Sequence, residues 1–307
     1  MRFEKLDLNL LVALDAILKY KSVSLAAKEL HLTQPALSNA LNRLREYFDD
    51  ELLIINSGKS PILTERALSL EAPVREALLL VKNSITIDTE FDPLTARRHF
   101  NLVSSDYTLQ TYLSSAISEI SELAPELTFD VIALDESTFE MLDKGEADLL
   151  FIIENYKNRQ HPSEKLFSDE HCVICWNKAN YKKSISKNDY LAAKHNTVIF
   201  GAQRRADFAE LFFEFEGVER SIRLRVPNYS ALPKSIIGTD HIATVPIRLA
   251  RQWVETLPLR ILPSPYKIPL LTQSVQWHRL RDKDNALNWV IEVFKQHAKN
   301  LNNPVKS

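Results

Sequence analysis

The hydrophobic pattern of the first fifty residues is helical. In LDLNLLVALDAILKY, Leu10, Leu11, Leu14, Ile17 and Leu18 fall on one stripe with polar side chains between them. Asp7 stands at the N-cap, and Leu6 and Leu11 occupy the two positions of a hydrophobic staple. SVSLAAKEL predicts a short second helix opened by Ser22 or Ser24, with Ala26 and Ala27 small enough to admit a neighbouring helix. After the turn HLT, Leu37, Leu41 and Leu44 repeat at helical spacing in LTQPALSNALNRL. With Thr33 as N-cap, Pro35 falls at N2. The first four N–H groups of a helix have no intrahelical partner, so a missing donor costs little there.

Farther on, the apolar runs LLII and PIL flank NSGKS, the signature of a β-hairpin with a glycine-containing loop. From Thr64 to about Ile87 the pattern is helical again. Leu70, Val74, Ala77 or Leu78, Val81 and Ile85 form a seam near 3.5 residues, and Pro73 is expected to kink it. That seam suits either a second copy of the helix or the helix's own chain. DTEFDPLTARRH is polar and suits a domain boundary. Beyond it strands and helices alternate. HFNLVSS, TFDVIAL and ADLLFII form one series of strands, and HCVICW, NTVIF, RSIRLRV and HIATVP a second. VQWH and the helix NALNWVIEVFKQHA close the chain. Such alternation predicts parallel α/β sheets, and two series predict two lobes.

Composition narrows the function classes. The 307 residues are 45% hydrophobic and 25% charged, an ordinary globular balance. No apolar run reaches the roughly 18 residues of a membrane span, and the N-terminus has no secretory signal pattern, so a cytoplasmic protein is expected. Net charge is -2, and the first 66 residues hold nine basic and nine acidic side chains. A nucleic-acid footprint must therefore be local. The two cysteines, Cys172 and Cys175, stand beside His171 in HCVIC. A structural zinc site needs four ligands and no second pair exists, so two small buried residues are expected, with no metal. The common nucleotide-binding loops are missing, as are HExxH and GxSxG. No catalytic residue or cofactor is predicted.

Two places carry candidate chemistry. Helix, tight turn and amphipathic helix form the helix-turn-helix pattern, whose second helix enters the major groove by its N-terminal end. Its polar face carries Gln34, Ser38, Asn39, Asn42 and Arg43, with no acid from Thr33 to Arg45. Gln and Asn pair bidentately with adenine and Arg with guanine, and hydroxyls suit phosphate oxygens. A solvated helix face of no function carries the same residue types. The hairpin would be a wing with Lys59 near its tip against a phosphate, or a surface loop with one lysine. In the α/β region, Ser104, Ser105, Asp106 and Tyr107 fall at the first strand-to-helix corner, where such sheets bind ligands. Ser105 or Asp106 serves a ligand there or simply caps the helix.

The order of these parts resembles the LysR-type transcriptional regulators. The resemblance rests on LDLNLLVALDAI, on SLAAKELHLTQPALSNALNRLREYFDDELL, and on LDKGEADLLF and GTDHIATVP, and it covers essentially the whole chain. The opening MRFEKLDLNLLVALDA is similar to the subgroup of nodulation and aromatic-degradation regulators. The resemblance implies an α+β protein. Residues 1–63 would be a winged helix-turn-helix, with the helix-turn-helix at about 23–42, and residues 64–90 a linker and dimerisation helix. Residues 91–301 would be a two-lobed, periplasmic-binding-protein-like effector domain, lobe 1 about 97–163 and 267–301, lobe 2 about 164–266. Thr33, Gln34, Pro35, Ser38 and Arg43 fall on the family's DNA-facing helix. Ser105 and Asp106, with Phe200 and Gly201 in the second lobe, fall at its effector corners. Two departures concern the wing region: the family's usual arginine is replaced within LLIINSGKS, and its Pro-Ala-Gly by ERA.

The expected function is a ligand-responsive regulator on double-stranded promoter DNA. It would form a homodimer that pairs into a homotetramer, contact RNA polymerase if it activates, answer a small co-inducer, with an aromatic compound favoured, and not engage a membrane. The rival is a small-molecule binding protein with no DNA role, which leaves the first 63 residues without a task.

Overall fold

The computed structural model describes residues 7–55, 60–85 and 91–302. The chain divides into two compact units, 1–88 and 89–307.

The first unit holds α1 (Leu8–Tyr20), α2 (Val23–Glu29), α3 (Gln34–Phe48), β1 (Leu53–Ile54), β2 (Ile62–Leu63) and α4 (Glu65–Ile85). Side-chain caps start the three short helices: Asp7 accepts from the Asn9 N–H, Ser22 from Leu25 and Thr33 from Ala36. Lys21, His31 and Asp49 take left-handed backbone conformations where these helices end or turn. Leu14, Ile17, Leu37, Leu41 and Leu44 are buried together, so the apolar stripes meet in one core. β1 and β2 pair antiparallel, Leu53 opposite Leu63, giving the hairpin of a wing. Asp50 Oδ1 holds its base, accepting from the Leu52 N–H at 2.7 Å and the Thr64 hydroxyl at 2.6 Å. α4 carries Pro73 inside it. Ala67 and Val74 join the same core with Leu70 and Leu78 against it, and Arg75 pairs with Asp15 of α1 at 2.5 Å. Part of the seam is thus used within its own chain, while Leu68 and Leu80 remain exposed.

The second unit opens with β3 (Arg98–Ser104), α5 (Asp106–Thr108), a π-helical stretch over Leu109–Leu113, α6 (Ser114–Leu123), β4 (Leu127–Ala133), α7 (Thr138–Asp143) and β5 (Leu149–Ile153). Next come β6 (Ser163–Asp169), β7 (His171–Trp176), α8 (Lys187–Ala192), β8 (Lys194–Phe200), β9 (Arg205–Ala206), α9 (Phe208–Phe215) and β10 (Ser221–Val226). It ends with β11 (Ile242–Pro246), α10 (Ile247–Thr256), β12 (Leu259–Pro263), β13 (Leu271–Gln276) and α11 (Asn285–Asn302). Two sheets result, ordered β4-β3-β5-β13-β6 and β10-β8-β11-β7-β12, with β9 beside β8. They are mixed rather than purely parallel. β3 runs parallel to β4 and β5, but β13 is antiparallel to β5 and β6, and β7 is antiparallel to β11 and β12. The reason is the chain path. It crosses between lobes twice, from β6 to β7 through Glu170 alone and from β12 to β13 through residues 264–270, and each arriving strand runs against its neighbours.

This path corrects the expected lobe boundary. β6 belongs to the first sheet, so lobe 1 extends through Asp169 rather than ending at 163. SEKLFSD buries only Leu166, Phe167 and Asp169 fully, too few apolar positions to announce a strand. α11 returns to lobe 1, where the Tyr112 hydroxyl donates to the Phe294 carbonyl at 2.6 Å. Beneath the first sheet, Arg98 grips Asp284 through two bonds of 2.6 Å, and Arg281 pairs with the buried Asp148. Cys172 and Cys175 are both buried and lie on opposite faces of β7. Burial pushes the Cys172 thiol up to about 12, so it stays protonated.

Candidate functional site

The first candidate is the outer face of α3. Leu37, Leu41 and Leu44 fix its other side to the core, which settles which residues face out. Thr33, Gln34, Pro35, Asn39, Asn42 and Arg43 are exposed and Ser38 is half-buried. The N-terminal turn has few ties: Thr33 accepts one N–H, and Pro35 needs none. Gln34 and Asn39 reach solvent beside it. Arg43 lies farther along, where its guanidinium approaches the Asp7 carboxylate at 3.5 Å. Asn42 accepts from Arg45 at 3.4 Å. Arg45 also donates to the carbonyls of Glu51 and Leu53, both at 2.9 Å, and so ties α3 to the hairpin. Lys59 lies outside the described residues.

The second candidate is a cavity of about 520 Å³ between the two lobes. That size lies within the roughly 300–1,000 Å³ of small-molecule sites. Its walls come from the carboxyl ends of β3, β4, β5, β8 and β10, as expected for open α/β sheets. The first lobe supplies Ser105, Tyr107, Phe139, Phe151 and Tyr156, and the second Phe200, Gly201, Asp207, Phe208 and Tyr229. Gln273 of β13 also lines it. Seven of those named are aromatic. Tyr107 and Tyr229 meet across the lobes with ring centroids 6.1 Å apart, and Phe200 lies 6.0 Å from Tyr229.

The predicted corner residues divide into three roles. Ser105, Phe200 and Gly201 line the cavity. Ser105 is also the N-cap of α5, accepting from the Thr108 N–H at 3.2 Å. Ser104 is buried and donates to the Ser105 carbonyl, so it supports the corner without lining the cavity. Asp106 clasps the lobes together. Its Oδ2 accepts from the Ser230 N–H at 2.9 Å and from the Ser230 hydroxyl at 3.2 Å.

A second clasp was not visible in the sequence. Glu136, after β4, accepts from the Gln203 N–H at 2.7 Å. That bond holds its carboxyl below the usual range. The approach needs Gly201. A Cβ there would stand 2.6 Å from Glu136 Oε1, and the backbone φ of +66° is left-handed.

Two tyrosine–aspartate pairs stiffen the cavity walls. Tyr107 donates to Asp169 at 2.8 Å and Tyr229 to Asp207 at 3.1 Å. Burial raises the pKa of Asp169, and it raises that of Asp207 to about 7 with help from the Glu210 charge. Asp207 was not predicted; its local signal is the capping-box spacing of DFAE at the start of FAELFFEF, which marks a cap and not a cavity residue. Phe139, Phe151, Tyr156, Phe208 and Tyr229 were not predicted; each is an ordinary apolar-pattern residue until the two sheets face each other. Among the described residues no group of three His, Cys, Asp or Glu side chains could hold a metal ion, and no helix is long and apolar enough to cross a membrane.

Comparison with known proteins bears on both candidates. Residues 8–68 match the family model of the bacterial regulatory helix-turn-helix protein, lysR family, and residues 94–299 that of the LysR substrate binding domain. Nodulation protein D 1 of Mesorhizobium japonicum is 35% identical over 305 residues, 99% of this chain and 97% of its own length. Nodulation protein D 2 of Rhizobium leguminosarum bv. phaseoli is 36% identical, covering 98% and 95%. A probable transcriptional regulator from Pseudomonas aeruginosa superposes with a TM-score of 0.64 at 26% identity, over 95% of this chain and 97% of that one. Full-length OxyR from the same organism shares the fold, with a TM-score of 0.71 at 14% identity over 96% and 95%.

Proposed function

The chain belongs to the LysR family of transcriptional regulators, ligand-responsive proteins that bind DNA, and from that premise we propose how its own residues divide the work. Gln34, Asn39 and Asn42 read base edges in the major groove from the N-terminal half of α3. Thr33, Ser38 and Arg43 hold phosphates, with Pro35 setting the approach of the first turn. Lys59 on the wing adds a further phosphate contact. The observation that carries this is the exposed, acid-free polar face of a helix whose opposite side is locked into the core.

The interlobe cavity takes the effector, and its seven aromatic residues favour an aromatic one. Occupancy changes how Asp106 and Glu136 clasp the second lobe, and so the angle between lobes. A coupling of about 1–3 kcal/mol between the two sites is enough to regulate. The protein acts in the cytoplasm as a homodimer. α4 contributes through the exposed Leu68 and Leu80, dimers pair into tetramers, and an activating complex contacts RNA polymerase.

Two measurements test this. Quantitative binding to DNA upstream of the protein's own gene, against a scrambled duplex, should show a preference that Gln34→Ala abolishes. Equal weakening on both duplexes would remove Gln34 from base reading. Thermal-shift screening of aromatic compounds should find ligands whose effect Phe151→Ala removes, and failure of every compound would end the aromatic reading.

A further inference from the structure

The cavity is lined unevenly by charge. Among its described lining residues are the carboxylates Asp135, Glu136 and Asp207, and the single cation Arg205, which is exposed. Asp207 is only 2% exposed, and the rings of Phe139, Phe151, Phe200 and Phe208 line the same space. The buried cation near it, Arg220, is not a lining residue; it pairs with Glu210 and donates to the Tyr190 hydroxyl at 3.3 Å.

Asp207 has acceptor capacity to spare. Its Oδ1 accepts the Glu210 N–H at 2.7 Å and its Oδ2 the Tyr229 hydroxyl at 3.1 Å. An ionised carboxylate offers about four lone-pair sites, so about two remain. The Tyr229 bond is also long, since O–H to carboxylate bonds usually span about 2.5–2.7 Å. A ligand O–H or N–H could therefore add to Asp207 or take the place of Tyr229. A ligand carboxylate would lose its hydration among the rings, meet Asp207 as a like charge wherever it is ionised, and find no buried cation among the described lining residues, since Arg220 lies outside the lining and is paired with Glu210.

We propose that Asp207 determines the specificity of this cavity: it accepts a hydrogen bond from an uncharged aromatic ligand bearing an O–H or N–H and turns away aromatic carboxylates. The assignment rests on the effector reading of the cavity given above.

A proton should accompany this choice. Burial holds the Asp207 carboxyl at about 7, with Glu210 adding to the rise and the Glu210 N–H, Tyr229 and Arg220 opposing it. Tyr156 faces it from the first lobe. A donor ligand favours the ionised form, so binding lowers this pKa and releases a proton near neutral pH. A ligand that makes no bond to Asp207 releases none from it.

Isothermal titration calorimetry on the full chain with 4-phenylphenol and biphenyl-4-carboxylate, in buffers of different ionisation enthalpy, tests the assignment. The phenol should bind at least about tenfold more tightly, the increment of one charge-assisted hydrogen bond, and release a fraction of a proton. Asp207→Asn keeps the cap and the shape but removes the charge. It should narrow the preference and abolish the proton release. Tyr229→Phe keeps the ring, frees Oδ2, and should strengthen phenol binding, which provides a test should the Asp207 variant misfold. Equal binding of the two probes to the unmodified chain, or a preference that Asp207→Asn leaves unchanged, would overturn the assignment and leave the cavity as an effector site. Binding of neither probe would overturn that reading and this assignment with it.

Discussion

The two candidate sites are built in opposite ways. The recognition face is one helix of consecutive residues, whose polar groups stand out because three leucines hold the other side down. The cavity is gathered from residues as far apart as Ser105 and Gln273, and no segment holds more than part of it. A site on one element tolerates change in neighbouring elements so long as the helix stays docked. A site assembled from many loops depends on the strands beneath them and on the clasps that hold the lobes. Local damage should therefore divide sharply between the units, and substitutions of decreasing severity can test whether it does.

Asp148→Ala should have the largest effect. It leaves Arg281 buried without its partner and removes the acceptor of the Asn101 N–H. Breaking such a pair costs about 3–5 kcal/mol. Calorimetric melting should show this loss in the second unit, with the DNA-binding unit unchanged. A uniform drop would mean that the two units melt together. Gln34→Ala should cost about 1–3 kcal/mol of discrimination at one base pair while leaving the melting profile intact. Gly201→Ala places a side chain in a left-handed conformation, which costs about 1–2 kcal/mol, and pushes against Glu136. Hydrogen exchange at the Gln203 amide should speed up. Adding Glu136→Ala should relieve the crowding but not the backbone cost, so only part of the stability returns. Lys59→Ala should weaken all DNA sequences alike and reduce the salt slope by about one. A sequence-selective loss would make the wing a reader rather than an anchor.

The same contrast explains what the sequence could reveal. The helices of the first unit were legible from Leu10 to Leu44, because a helix buries one stripe and its caps, Asp7, Ser22 and Thr33, are local. The hairpin was legible as strands flanking a glycine. In the second unit the central strands were legible as apolar runs, yet β6 and β12 were not. SEKLFSD mixes polar residues throughout, and LRILP ends in a proline that reads as a turn. The strands that make both sheets mixed, β7 and β13, were read within HCVICW and VQWH, but without the crossovers from β6 and β12 their antiparallel direction was not legible. The cavity corner at Ser105 followed from a strand end, while Phe200 and Gly201 came only from the family resemblance. Tyr229 and Phe208 came from neither, because only the meeting of the two lobes distinguishes them from core aromatics. Asp106 shows the limit of residue type as a guide: a carboxylate at a corner expected to bind a ligand holds a backbone amide of the opposite lobe.

Glu170 alone joins β6 to β7, and both of its neighbours touch the cavity's framework. Asp169 anchors the Tyr107 hydroxyl and accepts the Arg248 N–H, and the His171 ring stacks on Phe208 at 5.6 Å. A link of one residue holds no loop, so the anchor of Tyr107 on one side of the cavity and the ring that stacks on Phe208 on the other stand only two positions apart in the chain.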